Sequence, residues 1–167
     1  MSVLYFAYGS NLGLRRLRSP DRAPSAEKLA IGWLNGFRLV FDKVSADGSG
    51  KCDCERSNSA HDQVYGVVFR IDDANEVTLD AAEGLGYGYE KKVVDLVTAS
   101  GVVSAAIYTA THKQPGLKPY DWYKEHVLRG AIEQGLPAEY VRAIHAVKAK
   151  PDPDQSRALR EMSIWVR

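Results

Sequence analysis

Two short stretches of this 167-residue chain carry residue types suited to acid–base or anion chemistry. The first is Tyr8, Gly9, Ser10 and Asn11, which close an aromatic run over residues 3–8. Glycine lets the backbone turn sharply, and successive N–H groups in such a turn form a concave anion site. Ser10 and Asn11 add side-chain donors, although an isolated trio of this kind is ordinarily just a strand-terminating turn. The second is Glu83, followed by a glycine-rich, tyrosine-bearing run to Tyr89. A carboxylate at a helix C-terminus meets the negative pole of the helix dipole. Burial among Leu85, Tyr87 and Tyr89 would act in the same direction, so the expectation is a raised pKa. Such a glutamate is suited to take a proton and return it near neutral pH. The plain alternative is an exposed glutamate beside a flexible turn.

Other reactive residues offer less. Cys52 and Cys54 are spaced to share one face of a strand. Only His61 lies close to them, the usual zinc spacings are absent, and no metal site is expected. The redox spacing C-x-x-C is absent as well. A histidine among His61, His112, His126 and His145 can be imagined paired with Ser10, but Ser10 does not sit in a G-x-S-x-G elbow. His126 and His145 are expected at the surface or an interface. Arg15, Arg16, Arg18 and Arg22 form a basic cluster after the turn. By default it is a solvated face, able to attract an anionic substrate to the neighbouring turn.

The elements that must position these groups follow from periodicity and turn signals. Residues 3–8 read as a buried strand entering a tight loop, and residues 12–27 as a short helical turn followed by irregular chain. Residues 33–41 read as one strand, residues 45–50 as a loop, and residues 64–71 as a strand buried on both faces. Asp73 as N-cap and Glu76 three positions on form a capping box, opening a helix that ends near Glu83 and Gly84. Residues 89–97 and 102–110 pair as a hairpin around Ser100 and Gly101. An amphipathic helix over 120–133 is broken by Gly135, and Pro137 leads into a second helix over 138–147. The apolar ending around Trp165 is a docked strand or a frayed tail. Strands come first and helices last, which favours an α+β fold over a doubly wound sheet.

Composition narrows the function. Lys plus Arg number 22 against 21 for Asp plus Glu, so no broad basic field exists to hold nucleic acid or an anionic membrane. Hydrophobic residues are 45% and charged residues 26%, the balance of a globular protein, and no apolar run is long enough to span a bilayer. One domain over 1–167 is expected. The N-terminus lacks a signal-peptide layout and two cysteines cannot build a disulfide framework, so a cytoplasmic protein is expected.

Taken together, YFAYGSNL at 5–12 and DAAEG at 80–84, with a tyrosine and a strand soon after, resemble the γ-glutamylcyclotransferase family, the AIG2-like barrels. The likeness extends to EQGLPAEY at 133–140 and to the spacing between blocks, so it spans nearly all of the chain. It implies a small mixed β-barrel with flanking helices that binds no metal or organic cofactor. It implies conversion of γ-glutamyl amino acids or amines to 5-oxoproline and the free amine. The substrate's own α-amine attacks the γ-carbonyl, so no enzyme nucleophile is needed. Glu83 would be the general acid/base, and the Gly9, Ser10 and Asn11 nest would hold the α-carboxylate or polarise a carbonyl. Tyr89 and Tyr108 would line the pocket and orient Glu83 through phenolic hydrogen bonds, with Tyr8 supporting the loop. The partner is a small γ-glutamyl substrate, without nucleic acid or membrane, in a monomer or homodimer.

Three departures bear on substrate identity. Lys91 stands where many bacterial relatives have arginine, residues 50–55 are more charged, and the interval from Glu83 to Tyr89 is a residue shorter. A γ-glutamylamine cyclotransferase and an enzyme that removes a γ-glutamyl protecting group from a natural product are therefore alternatives. Intact glutathione is expected to be a poor substrate. A non-catalytic binding module on the same barrel and a serine hydrolase are the rivals from other classes.

Overall fold

The structure, a computed structural model, describes residues 1–166. Its strands are β1 (Ser2–Ala7), β2 (Glu27–Asn35), β3 (Phe37–Val44), β4 (Gly50–Arg56), β5 (Gln63–Asp72), β6 (Tyr89–Thr98) and β7 (Gly101–Ala110). Its helices are α1 (Leu14–Leu17), α2 (Asp73–Glu83), α3 (Asp121–Gln134), α4 (Ala138–Ala146) and α5 (Gln155–Met162), with 3-10 turns at Ser10–Leu12 and Ser163–Trp165. Five strands close a barrel in the order β1-β5-β2-β6-β7, and β3 with β4 forms a separate hairpin. The barrel is mixed because β1 meets β7 in parallel at Tyr5 and Ala106 while every other pair is antiparallel. No described helix is long and apolar enough to cross a membrane.

The apolar runs account for the core. Tyr5, Phe6, Ala7 and Tyr8 are consecutive and all buried, so β1 is covered on both faces, as is most of β5. Phe6, Phe69, Ile71, Leu96 and Ile107 are essentially inaccessible to water. Each such side chain contributes roughly 1.5–3 kcal/mol by leaving water. The hairpin β6–β7 forms as the sequence indicates but turns through Ala99 and Ser100, one residue earlier, with Gly101 opposite Thr98 and Tyr89 opposite Ala110.

Four expectations need correction. The strand expected over 33–41 is two strands in different sheets, because Gly36 takes a left-handed conformation (φ 77°) that bends the chain out of the barrel. The N-cap of α2 is Asp72 rather than Asp73, and no side chain caps it; Asp73 is the first helical residue and faces the N-terminal ammonium at 3.8 Å. The apolar ending around Trp165 is neither strand nor frayed tail: it follows α5 and forms a final 3-10 turn, Ser163–Trp165. Asp152 moors this segment, accepting from Trp122 Nε1 at 2.8 Å and from both Nε and one terminal nitrogen of Arg157 at 2.6 Å. Finally, His126 is not at the surface: it is fully buried between Trp165 and Glu161.

Candidate active site

The end of β1, the end of α2 and the start of β6 converge on one pocket. Its walls are Tyr5, Tyr8, Gly9, Ser10, Asn11, Cys52, Glu83, Tyr89, Tyr108 and Tyr123, around about 310 Å³ of empty space that includes its open mouth. All seven residues singled out from sequence, from Tyr8 to Tyr108, are therefore in one place. Tyr5, Cys52 and Tyr123 complete the walls and were not anticipated.

Local structure explains the convergence. The chain leaves β1 at Tyr8 and curls into the 3-10 turn, where Leu12 N–H bonds Gly9 O at 3.1 Å. At Gly9 a Cβ atom would lie 3.1 Å from Cys52 Cβ, so glycine lets the turn press against β4. Tyr8 is buried, and its hydroxyl donates to the Tyr108 carbonyl at 2.5 Å, tying the turn to β7. No group among the described residues accepts from the N–H of Ser10 or Asn11. Glu83 is the last residue of α2, which ends as Gly84 adopts the left-handed C-cap conformation.

Glu83 is the one carboxylate among the lining residues, and its side chain is 17% exposed. Asn11 Nδ2 donates to its Oε1 at 2.6 Å and lies 3.1 Å from the Tyr5 hydroxyl. The Arg22 guanidinium stands 3.8 Å from the same Oε1 and is itself mostly buried. An amide donor and a guanidinium thus face the same carboxylate oxygen. Tyr87 takes no part in burying Glu83, being 97% exposed.

The tyrosines act differently from what the resemblance implied. Tyr89 donates to the Cys52 carbonyl at 2.7 Å, and Tyr108 donates to Asp80 Oδ1 at 2.5 Å; neither phenol bonds Glu83. Asp80 is in turn held by Lys91 at 2.8 Å, and Lys91 also reaches Glu76 at 2.9 Å. Lys91 thus locks α2 to β6. Tyr123, from α3, accepts from Cys52 N–H at 3.0 Å. Burial raises Tyr5, Tyr8, Tyr89, Tyr108 and Tyr123 above the ordinary phenol range, and pushes the Cys52 thiol up to about 12. All of these groups are neutral at neutral pH.

Several other sequence candidates resolve plainly. No histidine lines the pocket, so Ser10 has no partner for a nucleophilic dyad. Among the described residues no cluster of His, Cys, Asp or Glu has the form of a metal site. The arginine cluster is only partly a solvated face: Arg15 and Arg18 are exposed, bonding the Ile164 carbonyl at 3.0 Å and the Ala26 carbonyl at 2.7 Å, whereas Arg16 turns inward to pair with Glu161 at 2.9 Å and Arg22 faces Glu83.

The chain resembles known proteins in both sequence and fold. The chain is 34% identical over 153 residues to γ-glutamylcyclotransferase of Homo sapiens, covering 88% of this chain and 79% of the relative. The Bos taurus enzyme of the same name is 33% identical over the same shares. The chain belongs to the γ-glutamylcyclotransferase family. A solved γ-glutamyl cyclotransferase superposes with a TM-score of 0.81 at 29% identity, covering 96% of this chain and 99% of that one. The model of the AIG2-like family matches residues 63–144, a span that holds Glu83, Tyr89 and Tyr108 but not the turn after β1. As a member of the γ-glutamylcyclotransferase family the chain is an enzyme, and its mixed barrel with flanking helices is the family's fold.

Proposed function

We propose that this enzyme converts small γ-glutamyl compounds into 5-oxoproline and a free amine, with Glu83 as its general acid/base. The observation that supports this most directly is a single carboxylate, held by an amide donor and faced by a guanidinium, in a pocket whose other ionisable groups are neutral.

The reaction is first a problem of proximity. The substrate must fold back so that its α-nitrogen meets its own γ-carbonyl carbon, and a closely fitted pocket supplies that geometry. The α-ammonium first gives up one proton to solvent, and Glu83 takes a second from the same nitrogen as the new N–C bond forms, so that one hydrogen stays on the lactam nitrogen. The oxygen of the tetrahedral intermediate carries the resulting negative charge, and the unengaged N–H groups of Ser10 and Asn11 are donors suited to it. As the intermediate collapses, the original C–N bond breaks and Glu83 returns its proton to the departing nitrogen. One side chain serves both transfers, and no water or cofactor is consumed.

The test is Glu83→Gln, assayed with γ-glutamyl-L-alanine. The expected variant keeps its Tm within a few degrees and binds substrate. Its release of 5-oxoproline falls by about 10²–10⁴-fold, the usual scale of a lost acid/base. Turnover near that of the wild type would remove Glu83 from the mechanism. A binding module with no turnover would instead give stable, unchanging complexes with γ-glutamyl dipeptides in the wild type itself.

A further inference from the structure

The chain that follows the active-site turn is held by two elements from outside the barrel. The first is α3. Gln134 Nε2 donates to the Leu12 carbonyl at 2.9 Å, and Leu14 N–H donates to Glu133 Oε1 at 3.1 Å. A Cβ added at Gly130 would come within 2.6 Å of both Gly13 N and Leu12 Cβ, so the helix touches this backbone directly. The second is the C-terminal segment, α5 with the 3-10 turn Ser163–Trp165. Arg15 donates to the Ile164 carbonyl at 3.0 Å and Arg16 pairs with Glu161 at 2.9 Å.

Gly13 shows how closely that segment is applied. Its φ of −74° and ψ of 121° are extended values open to any residue, so backbone freedom does not call for glycine here. Space does. An added Cβ would stand 2.8 Å from Trp165 Cη2 and 3.5 Å from Cζ2, and its next neighbour, Gly130 Cα, is an ordinary 3.9 Å away. The indole therefore lies on the backbone of residue 13. The ring is itself fixed: Nε1 donates to Nδ1 of the buried His126 at 2.9 Å, and the Arg129 guanidinium lies 5.5 Å from its centre.

The turn needs such support. Ser10–Leu12 and α1 are three and four residues long, far below the roughly 12–15 residues at which an isolated helix becomes marginally stable. What packs on this backbone must set its position. Upstream, Tyr8 ties it to the Tyr108 carbonyl; downstream, α3 and Trp165 hold it. Asn11, whose amide grips Glu83, is only two residues before Gly13. A misplacement of about 1 Å in such a group can cost about 100-fold in rate.

We infer that Trp165 is a positioning residue for catalysis: through Gly13 it sets the turn that carries Ser10 and Asn11 against Glu83, without touching substrate. This rests on the cyclotransferase reading above and extends it to the C-terminal segment.

The experiment assays full-length variants with γ-glutamyl-L-alanine well below the Tm of each. Trp165→Ala should lower kcat by about tenfold or more and leave KM within about twofold. Trp165→Phe keeps a flat ring on Gly13 and loses the bond to His126; it should recover most of the kcat. Gly13→Ala places a methyl against Trp165 and little else, and should lower kcat in the same way even if Trp165→Ala does not fold. Combining Trp165→Ala with Asn11→Ala should cost less than the product of the two single losses, because both act on one turn. A merely structural tryptophan would lower Tm and leave kcat at the wild-type value in Trp165→Ala and Gly13→Ala, which would overturn the inference alone. So would a double variant whose loss equals that product. A wild type that releases no 5-oxoproline would overturn the cyclotransferase reading, and this inference with it.

Discussion

Asn11 Nδ2 donates to Glu83 Oε1 at 2.6 Å although the two residues stand 72 positions apart. One belongs to the turn that follows β1 and the other ends α2, so this single bond joins that turn to the proposed proton carrier. An amide donor fixes one carboxylate oxygen and directs the other, a constraint that matters because proton transfer depends on distance and angle. The pairing also explains why Asn11 is buried at 3% exposure rather than lying open in its turn.

Asn11→Ala should therefore act on kcat more than on KM. The expected loss in kcat is about 10–100-fold, as for a positioned group that a substitution lets drift. Asn11→Asp should be worse still, since it places a second negative charge against Glu83. Steady-state kinetics with γ-glutamyl-L-alanine read this directly. A change confined to KM would show that Asn11 binds substrate without orienting Glu83.

Arg22 is the second constraint on the same oxygen. At 3.8 Å, with both side chains largely out of water, its charge is little screened by salt. Arg22→Met should lower kcat/KM by about tenfold or more, and Arg22→Lys should recover part of it, because lysine keeps the charge and loses the fork. An Arg22→Met enzyme with wild-type kcat/KM would show that the pair has no part in turnover.

Tyr89 and Tyr108 give the opposite forecast. Their hydroxyls are engaged with the Cys52 carbonyl and with Asp80, not with Glu83. Tyr89→Phe and Tyr108→Phe should each cost about 1 kcal/mol of stability, the net value of one hydrogen bond, with kcat changed by no more than a few-fold. Thermal melts and kinetics on the same preparations separate the two effects. A hundredfold fall in kcat without a fall in Tm would restore the phenols to a direct role on Glu83.

What the sequence disclosed follows the range of the forces involved. The β6–β7 hairpin, the Gly84 stop of α2 and the break at Gly135 depend on neighbours a few residues away, and all three stand within a residue of where turn chemistry places them. The pocket's seven foreseen residues came from a pair of motifs recognised together. Cys52 and Tyr123 were not legible because they reach the pocket through the β3–β4 hairpin and α3, whose docking no local pattern encodes. Arg22 looked like a solvent-facing charge for the same reason. The division of residues 33–41 into two strands was marked by the turn pair Asn35-Gly36, which the alternation of Phe37, Leu39 and Phe41 beyond it masked.

The buried histidine yields a prediction about acid. Trp165 Nε1 donates to His126 Nδ1 at 2.9 Å, which leaves the ring proton on Nε2, 3.0 Å from Glu161 Oε2. Glu161 also accepts from Arg16 at 2.9 Å, so α5 is pinned to α3 and to α1 through one carboxylate. The bond from His126, aided by the charge of Arg16 and opposed by burial, holds Glu161 down to about 2 from an ordinary 4.5. Burial lowers His126 from its ordinary 6.5. Both groups thus take up protons more readily in the unfolded chain than in the folded one. Their contributions are complete above the unfolded values and are lost as pH falls, first from His126 below 6.5 and then from Glu161 between 4.5 and about 2. Glu161→Gln should cost about 1–3 kcal/mol at neutral pH, since it leaves the Arg16 guanidinium without its partner charge. The gap between wild type and variant should hold steady down to about pH 5 and close below it, where the wild-type carboxylate begins to lose its advantage. Tm measured from pH 7 to pH 3 on both proteins tests this. Parallel curves over the whole range would mean that the Glu161 carboxylate contributes nothing to holding the C-terminal helix in place.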